Sequence, residues 1–198
     1  MKIKLNKKLL IIGLMSKILM IQGCITTPAL PQQDRPINWG KSINQHYNFY
    51  QISDFVYRSE QPEIDLIPLL KQHKIDVVIN LRNRDKDQST LSSTDFSLIH
   101  IPIHTWAIDR DDLLAVMQQI KKAKAQNQKV LIHCYHGSDR TGASIAMYRI
   151  IFEHWSTEEA LREMKFGGYG FHPIWINIEK NFTPENIRWI REQLSNPS

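Results

Sequence analysis

The sequence has few cysteines: Cys24 and Cys134 are the only two in 198 residues. Two cysteines cannot build the multi-bridge framework on which small secreted domains depend. Apolar residues make up 42% of the chain and charged residues 23%, which is ordinary globular composition. The chain is therefore long enough, and apolar enough, to form one domain around its own hydrophobic core.

Net charge is also missing once the first 23 residues are set aside. That segment contains no Asp or Glu, and it holds five of the 25 basic residues, namely Lys2, Lys4, Lys7, Lys8 and Lys17. The rest of the chain has 20 basic residues against 20 acidic ones. Because proteins that bind nucleic acid carry an excess of basic residues, the sequence predicts no nucleic-acid partner.

A long apolar run is absent as well. Residues 9–15 are apolar, but Lys17 interrupts the stretch, which makes it a poor permanent membrane span. A lysine-rich start followed by a short apolar run is typical of an export signal. We therefore interpret residues 1–23 as a lipoprotein signal peptide, for the reason given next.

The residues that end this segment resemble a bacterial lipobox. They read Ile21-Gln22-Gly23-Cys24, with a small residue before the cysteine. The resemblance implies cleavage before Cys24, lipidation of that residue and attachment to a membrane through the lipid. Ile25 follows instead of Asp, which suggests the outer membrane with the domain facing the periplasm; the inner membrane is the alternative. An uncleaved anchor, or a buried helix with an incidental cysteine, is the competing interpretation.

Residues 24–42 are interpreted as the lipidated cysteine and a proline-rich tether. Residues 25–40 contain three prolines within nine positions. Such a stretch is expected to be extended and to bury no apolar face. The folded domain is expected to span residues 43–198.

The domain alternates strand-like and helix-like segments. Short apolar runs predict strands at residues 55–57, 76–81, 97–103 and 129–133. Apolar periodicity and capping residues predict helices at residues 62–74, 111–126, 141–152, 156–165 and 173–181, and from Thr183 onward, with a loop at 82–95. This alternation predicts an α/β fold with a central, mostly parallel sheet flanked by helices.

The ten residues 133–142, HCYHGSDRTG, lie between a predicted buried strand and a predicted helix. Cys134 would then face the amides and the positive dipole end of the helix, both of which favour a thiolate nucleophile. The same amides can bind a phosphate. Gly137 permits a tight turn, and Arg140 offers a planar fork that matches two phosphate oxygens. The hydroxyl of Thr141 can donate to the sulfur and make it a better leaving group.

This motif resembles the His-Cys-x5-Arg-Thr-Gly loop of the cysteine-based protein tyrosine and dual-specificity phosphatases. Residues 57–62 (YRSEQP), 78–82 (VINLR) and 167–172 (GGYGFH) resemble bacterial members, so the similarity covers about residues 53–182. The resemblance implies the cysteine-dependent phosphatase fold for residues 43–198. It also implies phosphomonoester hydrolysis through a phosphocysteine intermediate, with no metal and no cofactor.

Carried over to this sequence, the resemblance makes Cys134 the nucleophile. Arg140 binds the phosphate and stabilises the transition state. The amides of residues 135–140 complete the cradle, and the implied phosphate-binding residues are Tyr135, His136, Gly137, Ser138, Asp139, Arg140 and Thr141.

The general acid, which protonates the leaving oxygen, has two candidates. In dual-specificity members it is an Asp on a separate upstream loop, to which Asp109 in residues 106–112 corresponds. The alternative role of Asp109 is to cap the following helix. Asp139 stands where myotubularin-like lipid phosphatases have a proposed acid, and its alternative role is to accept hydrogen bonds within the loop. The sequence leaves both candidates open.

The implied substrate is a phosphorylated protein or a small phosphomonoester, in the manner of a tyrosine or dual-specificity phosphatase. The alternative is an inositol phosphate or phosphoinositide, whose enzymes often carry lysines where this loop has Tyr135 and Ser138. A rhodanese-type sulfurtransferase has a different spacing from the cysteine to the basic residue. The intact pair of Cys134 and Arg140 argues against a lipoprotein that merely binds phosphate.

Three further residues, one inside the motif and two outside it, have separate expected roles. His133 is expected to brace the loop. Arg58 is expected to form a surface ion pair, with a reach into the active site as the alternative. His172, in the glycine-rich segment, is a possible substrate contact.

Overall fold

The computed structural model describes residues 25–195, so the predicted signal peptide and Cys24 lie outside the described residues. The described chain forms six strands: β1 (Lys41–Asn44), β2 (Phe49–Gln51), β3 (Val56–Ser59), β4 (Val77–Asn80), β5 (Ser97–His100) and β6 (Val130–His133). Its α-helices are α1 (Ile67–Gln72), α2 (Asp87–Leu91), α3 (Arg110–Ala125), α4 (Asp139–Phe152), α5 (Thr157–Phe166), α6 (Ile176–Glu179) and α7 (Pro184–Ser195). None of these helices combines the length and apolarity needed to cross a bilayer.

The six strands form one sheet in the order β1-β2-β3-β6-β4-β5. The last four in this order pair in parallel, whereas β1 and β2 add an antiparallel hairpin at one edge. Helices cover both faces, so the predicted α/β class with a mostly parallel sheet is confirmed.

The sheet buries both of its faces because the first residues of its central strands β4 and β6 are all apolar. On β4, Val77 and Ile79 point to the larger core while Val78 points to the smaller one. On β6, Ile132 and Leu131 divide in the same way, as expected from the period of two residues along a strand. The larger core contains buried residues of α3, α4, α5 and α7, and the smaller one contains those of α1 and α2.

Two elements differ from the sequence prediction. The hairpin of β1 and β2 was not predicted, because its strands are short and half polar. Its turn includes Asn48 with a φ of +47°, a conformation that asparagine tolerates better than most residues. Residues 82–95 were predicted as a loop, but they contain the short helix α2, whose Asp87 and Leu91 are buried.

Helix capping agrees with the prediction. The Ser156 hydroxyl accepts a hydrogen bond from the Glu159 amide at 3.1 Å, where α5 begins. The Thr183 hydroxyl accepts from the Asn186 amide at 3.2 Å, ahead of α7 with Pro184 in its first position. These side chains satisfy amides that have no partner within their own helices.

The segment 25–40 differs from the expected tether because it is bound along the domain. The Thr27 amide donates to the Phe171 carbonyl at 2.7 Å, and the Leu30 amide donates to the Phe166 carbonyl at 2.9 Å. Prolines do not prevent these contacts, since the bonds use the non-proline amides between them. The described N-terminal segment is therefore fixed to the glycine-rich region.

A buried ion pair holds the end of this segment. Glu163 accepts from the Gly40 amide at 2.6 Å and pairs with Arg149 at 2.8 Å. Arg149 also donates to the Asn38 carbonyl at 3.1 Å. Burial opposes the charge of Arg149, but hydrogen bonds and attraction from Glu163 outweigh it and raise the pKa of the guanidinium. Trp39, next to this pair, is buried against the domain instead of facing solvent.

Candidate active site

The carboxyl ends of the parallel strands converge at one edge of the sheet. Ser59 and Asn80 both pair with His133, and Asn80 also pairs with His100. The loops that follow these strands therefore start side by side. This is the position where open α/β sheets place their ligands.

The carbonyl groups of the loop after β6 are bound by neighbouring residues. The carbonyls of residues 135–137 accept hydrogen bonds from the Gln61 amide, the Asn48 side-chain amide and the Arg58 guanidinium, respectively. The amides of residues 135–141, by contrast, donate to no acceptor within residues 25–195. The loop thus presents a row of free N–H groups at the N-terminus of α4, which is an anion-binding arrangement.

Gly137 is required at the turn of this loop. Its φ is +69°, and a Cβ atom at this position would lie 2.3 Å from the carbonyl oxygen of Ser59. That carbonyl is part of β3 and cannot move away. Only glycine allows the loop to approach the strand this closely.

Cys134 lies between β6 and this row of amides, and it is 3% exposed. The hydroxyl of Thr141, in the first turn of α4, is buried and has no hydrogen-bond partner within the described chain. A free donor in this position is available to a ligand or to the cysteine sulfur.

Arg140 is anchored from one side only. Its Nη1 donates to the carbonyls of Leu81 and Ile103 at 3.2 and 3.1 Å, beyond the ends of β4 and β5. Its Nε is buried and has no acceptor among the described residues. The guanidinium is therefore held in place while keeping a donor free for a phosphate oxygen.

Arg58 lies under the loop and does not form the surface ion pair that the sequence suggested. It is fully buried, stacks on the Tyr169 ring at 3.7 Å and donates to the carbonyls of Gly137 and Ser138. Burial lowers the pKa of Arg58, although neighbouring Tyr169 and Glu163 act in the opposite direction. The sequence signals were its place directly after the predicted strand at residues 55–57 and within the family-like segment 57–62.

His133 braces the start of the loop through a buried carboxylate. Its Nε2 lies 2.8 Å from Oδ2 of Asp87, and its Nδ1 lies 3.1 Å from the Cys134 carbonyl oxygen. Asp87 also accepts from the Gln61 side chain at 2.9 Å. Burial alone raises the pKa of Asp87, but the hydrogen bonds from His133 and Gln61 outweigh it and lower the pKa overall.

The lowered pKa makes Asp87 a source of acid-sensitive stability. A carboxyl group with a depressed native pKa stabilises the fold above its unfolded pKa of about 3.9, and this stabilisation disappears as the pH falls through the native pKa. We expect Asp87→Asn to reduce the free energy of unfolding by about 1–3 kcal/mol at pH 7. The difference from wild type should shrink towards pH 3 in urea titrations, whereas the exposed control Asp95→Asn should change little. A deficit that does not depend on pH would contradict this assignment.

Asp109 lies at the N-cap of α3 and not in the cleft. Its Oδ1 accepts from the amides of Asp111 and Asp112 at 2.9 and 3.0 Å, and the Asp112 carboxylate accepts from the Asp109 amide. This reciprocal capping box is the alternative role considered for Asp109.

Asp139 faces the cleft and is paired with His172. Its Oδ1 accepts from the His172 amide and its Oδ2 lies close to His172 Nδ1, both at 2.9 Å. Both residues line the cleft together with Arg140. No other carboxylate of the described chain lines this cleft.

The cleft has a volume of about 790 Å³. Its wall includes Tyr135, His136 and Trp175 besides the residues named above. Burial lowers the pKa of His136, and neighbouring His172 and Arg140 lower it further. Within residues 25–195, no cluster of three or more His, Cys, Asp or Glu side chains could hold a metal ion.

Comparison with protein families gives a match at residues 56–174 to the family described as dual specificity phosphatase, catalytic domain. The chain is also 33% identical over 132 residues to the dual specificity protein phosphatase TpbA of Pseudomonas aeruginosa. That alignment covers 67% of this chain and 60% of the relative. The chain therefore aligns with about 60% of the length of the curated relatives it matches.

Solved structures show the same likeness. The crystal structure of P. aeruginosa TpbA is similar with a TM-score of 0.73 and 28% identity, over 82% of this chain and 99% of that chain. A TpbA variant in complex with pTyr gives the same values. PTPMT1, at 18% identity and a TM-score of 0.58, covers 74% of this chain and 98% of its own, and shares the fold.

Proposed function

The chain belongs to the dual specificity phosphatase family, and from this we propose that it hydrolyses phosphomonoesters through a phosphocysteine intermediate. One observation carries the proposal. The loop between β6 and α4 combines Cys134, a row of free amides at residues 135–141 and the free Nε of Arg140. These groups form a cysteine nucleophile and a phosphate receptor within one short segment.

Two displacements at phosphorus complete the reaction. The Cys134 thiolate attacks the phosphorus, an S–P bond forms, and the ester P–O bond breaks while its oxygen takes a proton. Water then attacks the phosphorus, the S–P bond breaks, and the thiolate and inorganic phosphate are released. Arg140 and the loop amides bind the phosphoryl oxygens, whose charge they stabilise in both transition states.

We assign the proton donor to Asp139. Its support is its position in the cleft beside Arg140, whereas the Asp109 carboxylate already caps α3. His172 holds both oxygens of Asp139 and so fixes the direction of the carboxyl group. A protonated Asp139 gives its proton to the leaving oxygen in the first step and takes one from water in the second.

The proposed substrate is a phosphorylated protein, with phosphotyrosine as the preferred residue. The cleft of about 790 Å³ is walled by Tyr135, Trp175 and Pro173, which suits an aromatic leaving group. TpbA, the relative at 33% identity, is a dual specificity protein phosphatase, and one of its structures contains pTyr. An inositol phosphate is the second candidate, because Arg82 and two histidines also line the cleft.

A substrate panel tests this proposal. We expect kcat/KM on a phosphotyrosyl peptide to exceed that on the matched phosphoseryl peptide and on inositol hexakisphosphate by about tenfold or more, the scale expected for missing contacts in a shaped pocket. Phosphate release is the measurement, and nitrophenyl phosphate serves as the positive control for the chemistry. A preference for the inositol phosphate would support the second candidate, and no turnover of any substrate would contradict the proposed function.

We further propose that the protein is an exported lipoprotein anchored through Cys24, with the domain in the periplasm. The support is the lysine-rich start, the short apolar run at residues 9–15 and the lipobox-like residues 21–24. The outer membrane is the proposed location, since Ile25 and not Asp follows the cysteine.

A further inference from the structure

Large apolar side chains are exposed mainly around the mouth of the cleft. Seven such side chains are exposed within residues 25–195. Three of them, Ile25, Tyr135 and Ile174, line the cleft. Two others, Trp106 and Ile176, directly follow residues that line it. We call these five residues the apolar rim. Such a concentration at one opening differs from the scattered apolar residues of an ordinary surface.

A hydrogen bond joins two parts of the rim that are far apart in sequence. The side-chain amide of Asn177 donates to the Thr105 carbonyl at 2.8 Å. This bond connects the turn that carries Trp106 to the short helix that carries Ile176. The side chains of Trp106 and Ile176 are 65% and 66% exposed, although this hydrogen bond joins the segments that carry them.

The N-terminal segment brings the lipidation position to the same place. Ile25 lines the cleft, and the segment behind it is fixed by the bonds of Thr27 and Leu30 to the domain. Cys24 is joined directly to Ile25, and neighbouring Cα atoms are about 3.8 Å apart. A lipid on Cys24 would therefore be attached one residue before a member of the cleft wall.

We propose that the apolar rim rests on the lipid bilayer, so that the active-site cleft opens onto the membrane surface. The inference rests on the proposed phosphatase function and on lipidation of Cys24. The bilayer is the occupant that explains both observations, since the proposed anchoring residue directly precedes Ile25, a member of the rim. Tryptophan and tyrosine favour the interface between headgroups and acyl chains, and isoleucine favours the acyl region.

This orientation selects substrates by location. A phosphate group carried by a membrane protein close to the bilayer, or by a lipid-tethered peptide, can enter a cleft that lies at the surface. A soluble phosphoprotein must instead reach an opening that faces the lipid. The enzyme is therefore directed to phosphomonoesters held at the membrane, whatever the residue that carries the phosphate.

The first experiment measures contact with the bilayer. Full-length protein purified from membranes is reconstituted in phosphatidylethanolamine and phosphatidylglycerol vesicles whose acyl chains carry bromine, which quenches nearby tryptophan. We expect quenching that the double variant Trp106→Phe, Trp175→Phe largely removes, since Trp175 lies in the wall of the same cleft, and that Trp155→Phe leaves in place, because Trp155 follows the far end of α4. Quenching that is absent, or that persists in the double variant, would overturn the proposed orientation. In a parallel arm, Cys24→Ala is expected to leave the membrane fraction or to accumulate as precursor, and wild-type behaviour would remove the anchor on which the inference rests.

The second experiment measures the consequence for turnover. The reconstituted enzyme is given one phosphotyrosyl peptide in two forms, soluble and tethered to lipid in the same vesicles. We expect the tethered form to be hydrolysed about tenfold faster, because tethering raises the effective concentration at the surface. The variant with Trp106→Ser and Ile176→Ser should lose most of this advantage, while the matched control with Ile37→Ser and Ile64→Ser should retain it.

The outcomes separate this inference from the proposed function. Turnover of nitrophenyl phosphate reports the chemistry alone and should be equal in the rim variant and its control. Equal rates on the two peptides in wild type would overturn the membrane orientation while leaving the phosphatase function intact. A rim variant that loses activity on the soluble peptide as strongly as on the tethered one would show that the rim binds protein and not lipid, which also overturns the proposal.

Discussion

Cys134→Ser is expected to lower phosphate release by about 10⁴-fold or more, because a hydroxyl is a far weaker nucleophile than a thiolate. No other group in the loop can replace it. The neighbouring Ser138 hydroxyl is engaged with the Tyr169 carbonyl at 2.8 Å, and Thr141 lies in the first turn of α4. The measurement is release of nitrophenol and of inorganic phosphate from nitrophenyl phosphate at saturating substrate.

The fold should survive this substitution, because serine and cysteine are nearly equal in size and Cys134 makes no disulfide among the described residues. The thermal unfolding midpoint and the circular dichroism spectrum of the variant are the controls. The variant should also keep its affinity for inorganic phosphate, since the free amides of residues 135–141 and Arg140 are unchanged. Turnover above a tenth of the wild-type rate would contradict the phosphocysteine mechanism.

Asp139→Asn is expected to lower turnover of an alkyl phosphate by about 10²–10⁴-fold, the usual contribution of a general acid. Turnover of nitrophenyl phosphate should fall much less, because nitrophenolate leaves without needing a proton. Kinetics on a series of aryl and alkyl phosphates measure this difference as a steeper dependence of rate on leaving-group pKa.

Asp109→Asn is the matched comparison. Asparagine is also a good N-cap, and the structure gives Asp109 two amides to accept from, so both substrates should keep most of their turnover. If Asp109→Asn produced the selective loss and Asp139→Asn did not, the acid would be Asp109 and α3 would have to move towards the cleft. Equal losses on both substrates in Asp139→Asn would indicate that the carboxylate only braces the loop.

The sequence predicted the α/β class because its central buried strands consist largely of apolar residues. β4 and β6 each begin with three apolar residues, and β6 is followed by a polar loop and then by a helical pattern. The hairpin of β1 and β2 was not predicted because only three of its seven residues, namely Ile43, Phe49 and Tyr50, are apolar or aromatic. Its formation depends on the partner strand β3, which local pattern does not reveal.

Within the site, the sequence identified those residues whose role depends on residues next to them in the chain. The loop at residues 133–142 was assigned from its spacing, and the structure brings its predicted members together at the N-terminus of α4. Arg58 could not be assigned in this way, because its burial depends on Tyr169 and Gly137. The pairing of Asp139 with His172 likewise joins positions 33 residues apart.

For the N-terminal segment, the sequence predicts the backbone conformation but not the contacts. Its prolines correctly exclude a regular helix or strand at residues 28–36, apart from one short 3₁₀ turn. The extended backbone is not free, because its amides donate hydrogen bonds to a neighbouring loop. Composition predicts conformation here, but it does not predict where the segment binds.

The side-chain amide of Asn48 has a consequence for the order in which the protein acquires activity. This one group donates to the carbonyls of His136 and Tyr169, which lie 88 and 121 residues further along the chain. Contacts between such distant positions form late, since the entropy of closing the intervening loops must be overcome first. Cys134 and Arg140 precede the glycine-rich segment in the chain, so they are synthesised before the second of these acceptors exists. We expect a polypeptide truncated before Tyr169 to carry both reactive residues without this support for the loop, and therefore to be less active than the full domain.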